Sequence, residues 1–196
     1  TTAPTYQPGI ATRGSNRNDF PQDIVQESDG SLLVLGYHIG DDWGDDSDIV
    51  LVRSGMDGTL DFIAMADIGY HEFGWSLVQQ SDGKVVVTGD VEAEYNFDSD
   101  TTDFLLVRYN RDGTLDATFG GGDGFVTADF GDNDSGRGVF QQADGKLVVM
   151  GSTDYGAFLR RYNADGSQDM AFGNGGVVGA LPGSPLIVTQ QTDGRL

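Results

Sequence analysis

QQSDGKVVVTG (79–89), followed by DFLLVRYNRDGTLD (103–116), carries the reading on which the fold turns. In both stretches an Asp-Gly pair punctuates a run of aliphatic residues. Asp satisfies local backbone donors and Gly accepts a positive φ, so the pair marks a hairpin turn. The runs VVVTG and FLLVRY lack a clean polar–apolar alternation, which points to strands covered on both faces.

Both stretches recur. The first is matched by QESDGSLLVLG (26–36), QQADGKLVVMG (141–151) and QQTDGRL (190–196), with the turn Asp at 29, 82, 144 and 193. The second is matched by DIVLVRSGMDGTLD (48–61) and AFLRRYNADGSQD (157–169), with the turn Asp at 57, 112 and 165. A Phe-Gly-rich element, ATFGGGDGFVTADFG (117–131) or MAFGNGGVVGAL (170–181), links one copy to the next. Four short strands follow for each repeat: one before the first turn (Asp23–Gln26, Ser76–Gln80, Gly138–Gln142), one after it, the aliphatic run, and one in the link.

Four strands per repeat, a period near 50 and strands covered on both faces predict an all-β, β-propeller-like array of four-stranded antiparallel blades. A one-sided β-solenoid is the runner-up. The expected organisation is an extended segment over 1–18, blades over 19–69, 70–131 and 132–182, and the start of a fourth repeat over 183–196. Closed propellers take about 4–8 blades, so three full repeats predict either a segment of a longer chain or a homo-oligomer that completes the ring.

Composition narrows the function. The 196 residues include 31 acidic and 11 basic side chains, for a net charge of −20. That disfavours nucleic acid, which needs clustered Lys and Arg, and anionic lipid headgroups. No run of about 18 apolar residues predicts membrane insertion. With no Cys, disulfides, Cys-ligated zinc and Cys nucleophiles are excluded. The acid is 27 Asp against 4 Glu, a turn-rich and helix-poor bias that also suits a salty or extracellular setting. TTAPTYQPGI (1–10) lacks the basic and apolar regions of a signal peptide. The expectation is a processed, otherwise exported, fragmentary or intracellular chain.

The pattern DGK-(V/L)VV-x-G, F-L-(V/L)-R-Y-N-x-DG-(T/S)-L-D and FG-G-(G/x)-DG-x-V resembles the delta-60 repeat. The resemblance is clearest over 82–127 and 144–178; the first repeat departs, with SGMDG for YNRDG and no FGG block after Asp61. It implies large, secreted or surface-associated bacterial proteins of propeller-like build, with no established enzymatic activity and no catalytic residues.

Three acidic loops suggest calcium, because hard cations gather several oxygen ligands on a loop. GDDWGDDSD offers Asp41 and Asp45 among its five acids; EAEYNFDSDTTD spaces Asn96, Asp98 and Asp100 at i, i+2, i+4, with Asp103 beyond; DFGDNDSG offers Asp129, Asp132 and Asp134. None has the Gly and Glu positions of an EF-hand, and the plainer reading is a solvated, salt-tolerant surface. Trp43 and Tyr95, on the first two loops, suggest a glycan or protein ligand held by ring stacking. Trp75 stands opposite Arg137 of the next repeat and reads as packing. The turn aspartates read as local hydrogen-bonding groups, as do Asp61, Asp116 and Asp169 beyond them. The strand-end Arg53, Arg108, Arg160 and Arg161 read as edge charges.

The two histidines, His38 and His71, lack catalytic context and read as surface-loop residues. The leading expectation is therefore a non-enzymatic extracellular or cell-surface module: a spacer, adhesin or ligand-binding scaffold. The alternative is a propeller lyase or glycosidase using acidic residues on one face.

Overall fold

The computed structural model describes residues 18–39, 47–66, 68–92, 101–131 and 133–181. They form twelve strands in three meanders: β1 (Asn18–Gln26), β2 (Leu32–Ile39), β3 (Ser47–Ser54) and β4 (Leu60–Ala66); β5 (His71–Gln79), β6 (Val85–Glu92), β7 (Asp103–Tyr109) and β8 (Phe125–Ala128); β9 (Ser135–Gln141), β10 (Leu147–Thr153), β11 (Gly156–Tyr162) and β12 (Val177–Leu181). Within each meander every strand pairs antiparallel with the one before it. A single parallel pairing, Ser47 with His71, joins the first blade to the second. The fold is all-β, built of four-stranded blades, and no helix among the described residues is long and apolar enough to cross a membrane.

The Asp-Gly pairs are what turn the chain. At the first turn of blade 2, Gln80 N–H bonds Lys84 O at 2.8 Å and Gly83 N–H bonds Gln80 O at 2.9 Å. Asp82 Oδ1 accepts the Lys84 N–H at 3.1 Å, and Gly83 takes φ +84°, the left-handed value that a side chain resists. The turns at Asp29, Asp57, Asp112, Asp144 and Asp165 repeat the carboxylate bond to the N–H two residues on.

The first strand of each blade is longer than the sequence pattern indicates, beginning at Asn18, His71 and Ser135. A bulge lies behind the difference. The pairing register shifts between Pro21 and Asp23, between Gly74 and Ser76, and opposite the Met150–Gly151 step. Gln22, Trp75 and Arg137 are thereby left unpaired at equivalent positions, and one extra residue reverses the side-chain alternation. Across from each bulge lies the glycine that ends the repeated motif. A Cβ on Gly89 would run into the Phe73 carbonyl, and one on Gly36 into that of Phe20.

The blades press face on face. Leu105, Val107 and Tyr109 of β7 point to blade 1, meeting Leu33, Leu35, Ile49 and Leu51. The alternate residues Phe104 and Leu106 point to blade 3, meeting Val139, Leu147, Val149 and Phe158. All seven residues of β7 but the first are buried, which is why its sequence shows no alternation. This two-sided burial excludes a one-sided solenoid.

Candidate metal centre

β7 opens with Asp103, paired across to Val91 of β6. The chain leaves β8 at Ala128, passes through Asp129, and enters β9 at Ser135 directly after Asp134. The crossover from blade 2 to blade 3 is thus folded back over the start of β7. Asp134 N–H bonds Thr102 O at 2.7 Å, and the Thr102 hydroxyl returns a 3.5 Å bond to Asp134 O. The result gathers one carboxylate oxygen from each of Asp103, Asp129 and Asp134 within 4.8 Å of one another.

The three acids differ in surroundings. Asp129 is exposed and Asp103 half-buried, whereas Asp134 is fully buried. Asp134 Oδ2 accepts the Phe130 N–H, while its Oδ1 is enclosed and has no hydrogen-bond partner among the described residues. Asp129 Oδ1 accepts the Gly131 N–H at 2.9 Å. Burial raises the Asp134 carboxyl above its ordinary 3.8; the Phe130 N–H opposes this, Asp129 and Asp103 add to it, and Arg160 offsets it in part. Asp103 is raised by burial and then by Asp129. Arg160 supplies the nearby cation, with its guanidinium spread 3.5 Å over the Phe130 ring. Three oxygen anions so arranged are a donor set for a hard cation.

Of the residues singled out from the sequence, Asp103, from the second acidic loop, and Asp129 and Asp134, from the third, are brought together here. Asp41, Asp45, Asn96, Asp98, Asp100 and Asp132, with Trp43 and Tyr95, lie outside the described residues. The histidines are not surface-loop groups. His38 lies within β2 at 2% exposure, its Nδ1 2.7 Å from Asp19 Oδ1. His71 opens β5 and its Nδ1 accepts the Ser47 N–H at 3.0 Å. Both face strand partners because the first and second strands run further than the apolar pattern alone suggests. An open depression between the first hairpins of blades 1 and 2, lined by Glu27, Asp29, Gln80, Asp82 and Arg111 among others, contains neither histidine.

Asp116 and Asp169 are more than turn residues. Asp116 is buried and takes Arg108 Nε and Lys84 Nζ, both at 2.6 Å, besides the Thr118 N–H and hydroxyl. Burial would raise its carboxyl, but Lys84, Thr118 and Arg108 outweigh that and hold it far below the ordinary value. Asp169 repeats the arrangement with Lys146 at 2.6 Å and Arg161 at 2.8 Å. Arg108 also donates to Ala164 O of the next blade and lies 4.5 Å above the ring of buried Phe119; Arg161 covers Phe172 at 4.7 Å. Arg108 and Arg161 are therefore latches between strands, Arg108 buried and reaching the next blade, rather than edge charges. The signal was in the sequence, as Lys after the first DG of blades 2 and 3, Arg-Tyr-Asn and Asp four residues past the second turn, but the three lie far apart along the chain. Trp75 is packed, carrying the Arg137 guanidinium 4.5 Å over its ring.

Consecutive four-stranded blades with apolar faces shared between neighbours define a β-propeller repeat protein. A family model described as "Domain of unknown function (DUF5122) beta-propeller" matches residues 80–119 and 142–172. Each matched segment opens at or beside a first DG turn and runs to the Phe under the arginine, in blades 2 and 3. This is a family of the same propeller-repeat kind that the sequence resembles. No curated protein matches the chain.

Proposed function

We propose that this chain is a non-enzymatic repeat module of the delta-60 kind, exported to the bacterial surface or medium, where it serves as a spacer, adhesin or ligand-binding scaffold. One observation carries the reading: the residues that recur from repeat to repeat are engaged in holding the repeat. The turn aspartates bind their own backbone, and the Arg–Asp–Lys sets tie strands together. What differs between repeats is the connection between second and third strands: seven residues in blade 1 (40–46), ten in blade 2 (93–102) and a two-residue turn, Asp154–Tyr155, in blade 3. Variable rims on an invariant frame suit recognition of a glycan or protein. The bare side of blade 1, where Ile24, Leu60, Ile63 and Met65 are exposed, suits another blade of the same repeat, from a longer chain or a second copy.

Two measurements test this. Intact producing cells treated with protease should lose the protein, and the purified chain should leave a panel of acidic and neutral polysaccharides uncut. Turnover of any polysaccharide that disappears on replacing a single carboxylate would transfer the protein to the glycosidase or lyase class.

A further inference from the structure

We infer that Asp103, Asp129 and Asp134 bind one calcium ion, and that the ion clamps the crossover from the second blade to the third. The inference is independent of the scaffold reading, since an enzyme could carry the same clamp.

Like charges this close repel unless a cation or a proton intervenes. Asp134 cannot relieve the repulsion by turning toward water: it is fully buried, and its Oδ1 is enclosed without a donor among the described residues. Its other oxygen is committed to the Phe130 N–H, so the carboxylate is fixed with its open oxygen unsatisfied. A buried acceptor in that state costs about 1–3 kcal/mol, more when charged, and an ion would remove the cost. Arg160 does not fill the role, because its guanidinium is stacked on the Phe130 ring.

The choice of ion follows from the donors. All three are oxygens, and no His joins the group, which favours hard cations over zinc or copper. Calcium holds its ligands at about 2.3–2.6 Å, so ligands on opposite sides of it stand roughly 4.6–5.2 Å apart. Oxygens within 4.8 Å of one another need little movement to meet that span. The smaller magnesium requires a tighter, near-octahedral set and keeps several waters.

The sequence repeats the arrangement at the preceding crossover. Ala66-Asp67-Ile68-Gly69 followed by Glu72 answers Ala128-Asp129-Phe130-Gly131 followed by Asp134, and Asp48 answers Asp103. Glu72 Oε1 accepts the N–H groups of Ile68 and Gly69, the same backbone task that Asp134 Oδ2 performs. The third repeat has Gly156 where Asp103 stands, and Ala180-Leu181 where Ala128-Asp129 stands. The acids therefore come and go as a set, as ligands of one ion do.

The test is calcium titration by calorimetry on the chelator-stripped chain, with melting followed in EDTA and in millimolar calcium. Asp103→Asn, which touches no capping bond, is compared with Asp134→Asn and with the rim-loop double variant Asp98→Asn/Asp100→Asn. Calcium should raise the melting temperature of the parent. Each triad variant should bind calcium on the order of tenfold or more weakly, in line with the loss of a charged ligand. Each should also melt no lower than the parent in EDTA, since one repelling charge is gone, whereas a purely structural acid would leave a less stable variant. The rim-loop variant should keep the response. The inference is overturned if the parent shows no calcium response, if both triad variants keep it, or if only the rim-loop variant loses it.

Discussion

At the scale of single residues, the glycine closing each DG-x-(V/L)-V-V-x-G copy shows how an extra residue in one strand dictates a side chain in another. Trp75 is squeezed out of the β5 ladder, and the bulge drives the Phe73 carbonyl toward β6 at Gly89. Gly89→Ala should therefore lower stability by about 1–3 kcal/mol, the usual cost of overpacking. Gly138→Ala should cost far less, because an added Cβ there meets nothing closer than the Met150 methyl at 3.6 Å. Urea midpoints of the two variants check the contrast. The turn glycines were legible in the sequence because Asp-Gly is a local signal. The Gly89 requirement was not, because it depends on a bulge that no local pattern announces. The same bulge hid the length of the first strands and placed His38 and His71 in strands. Two of the three acids of the cluster were legible as neighbours too. Asp129 and Asp134 sit on one loop, but Asp103 joins them only once β7 is paired beneath the crossover.

At the scale of strands and turns, the Lys–Asp–Arg latch joins the second strand, the third strand and the link behind them. Lys84 comes from the first hairpin, Arg108 from the end of β7, and Asp116 from the turn beyond. Removing one partner of a buried pair leaves the other charge unmatched and costs about 3–5 kcal/mol. Asp116→Ala should fall in that range. Arg108→Met keeps part of the packing over Phe119 but also loses the bond to Ala164 O, so it should loosen the junction with blade 3 as well. Amide exchange at Gly120, whose N–H bonds Asp165 O across that junction at 3.0 Å, reads the loosening directly. Acid tests the equivalent latch in blade 3. Lys146 first, then the Ala171 N–H and Arg161, lower Asp169 from 3.8 to about 2. A carboxyl depressed on folding stabilises the protein at pH values above its unfolded 3.8, and the contribution fades as pH falls through the folded value. The urea midpoint of the parent should drop between these two pH values, and Asp169→Asn should show a shallower drop over the same window. An equal slope in parent and variant would assign the acid sensitivity to other carboxylates.

At the scale of the whole molecule, the blades are interchangeable in register but not in surroundings, and the difference leaves one face of blade 1 apolar and partly exposed. Val87, Leu105 and Val107 of blade 2 are fully buried against blade 1, whereas their counterparts Val34, Val50 and Val52 on blade 1 are only partly covered. Phe125 packs against the first core cluster, while Ile63, at the same place in β4, is 40% exposed. Ile24, Val34, Val52 and Ile63 stand in one row across the four strands, forming the kind of contiguous apolar strip that marks an interaction surface. The outer face of blade 3 is not the complement: Val148, Met150 and Leu159, at the positions through which Leu33, Leu35 and Val86 meet their next blade, are already buried within the chain. Two copies meeting through the exposed strip of blade 1 would use the same patch on both, an isologous contact. The net charge of −20 opposes crowding of copies, and salt relieves that repulsion. Light scattering should accordingly report a solution mass above 20.9 kDa that grows with protein concentration and with salt. Ile63→Lys should return the chain to its single-copy mass while shifting the melting midpoint little, because exposed positions tolerate substitution within about 0.5 kcal/mol. Val87→Lys, the same chemistry at a covered blade face, should unfold the protein. A parent that stays at single-copy mass at high salt would mean that a blade elsewhere in a longer chain, and not another copy, is what this face receives.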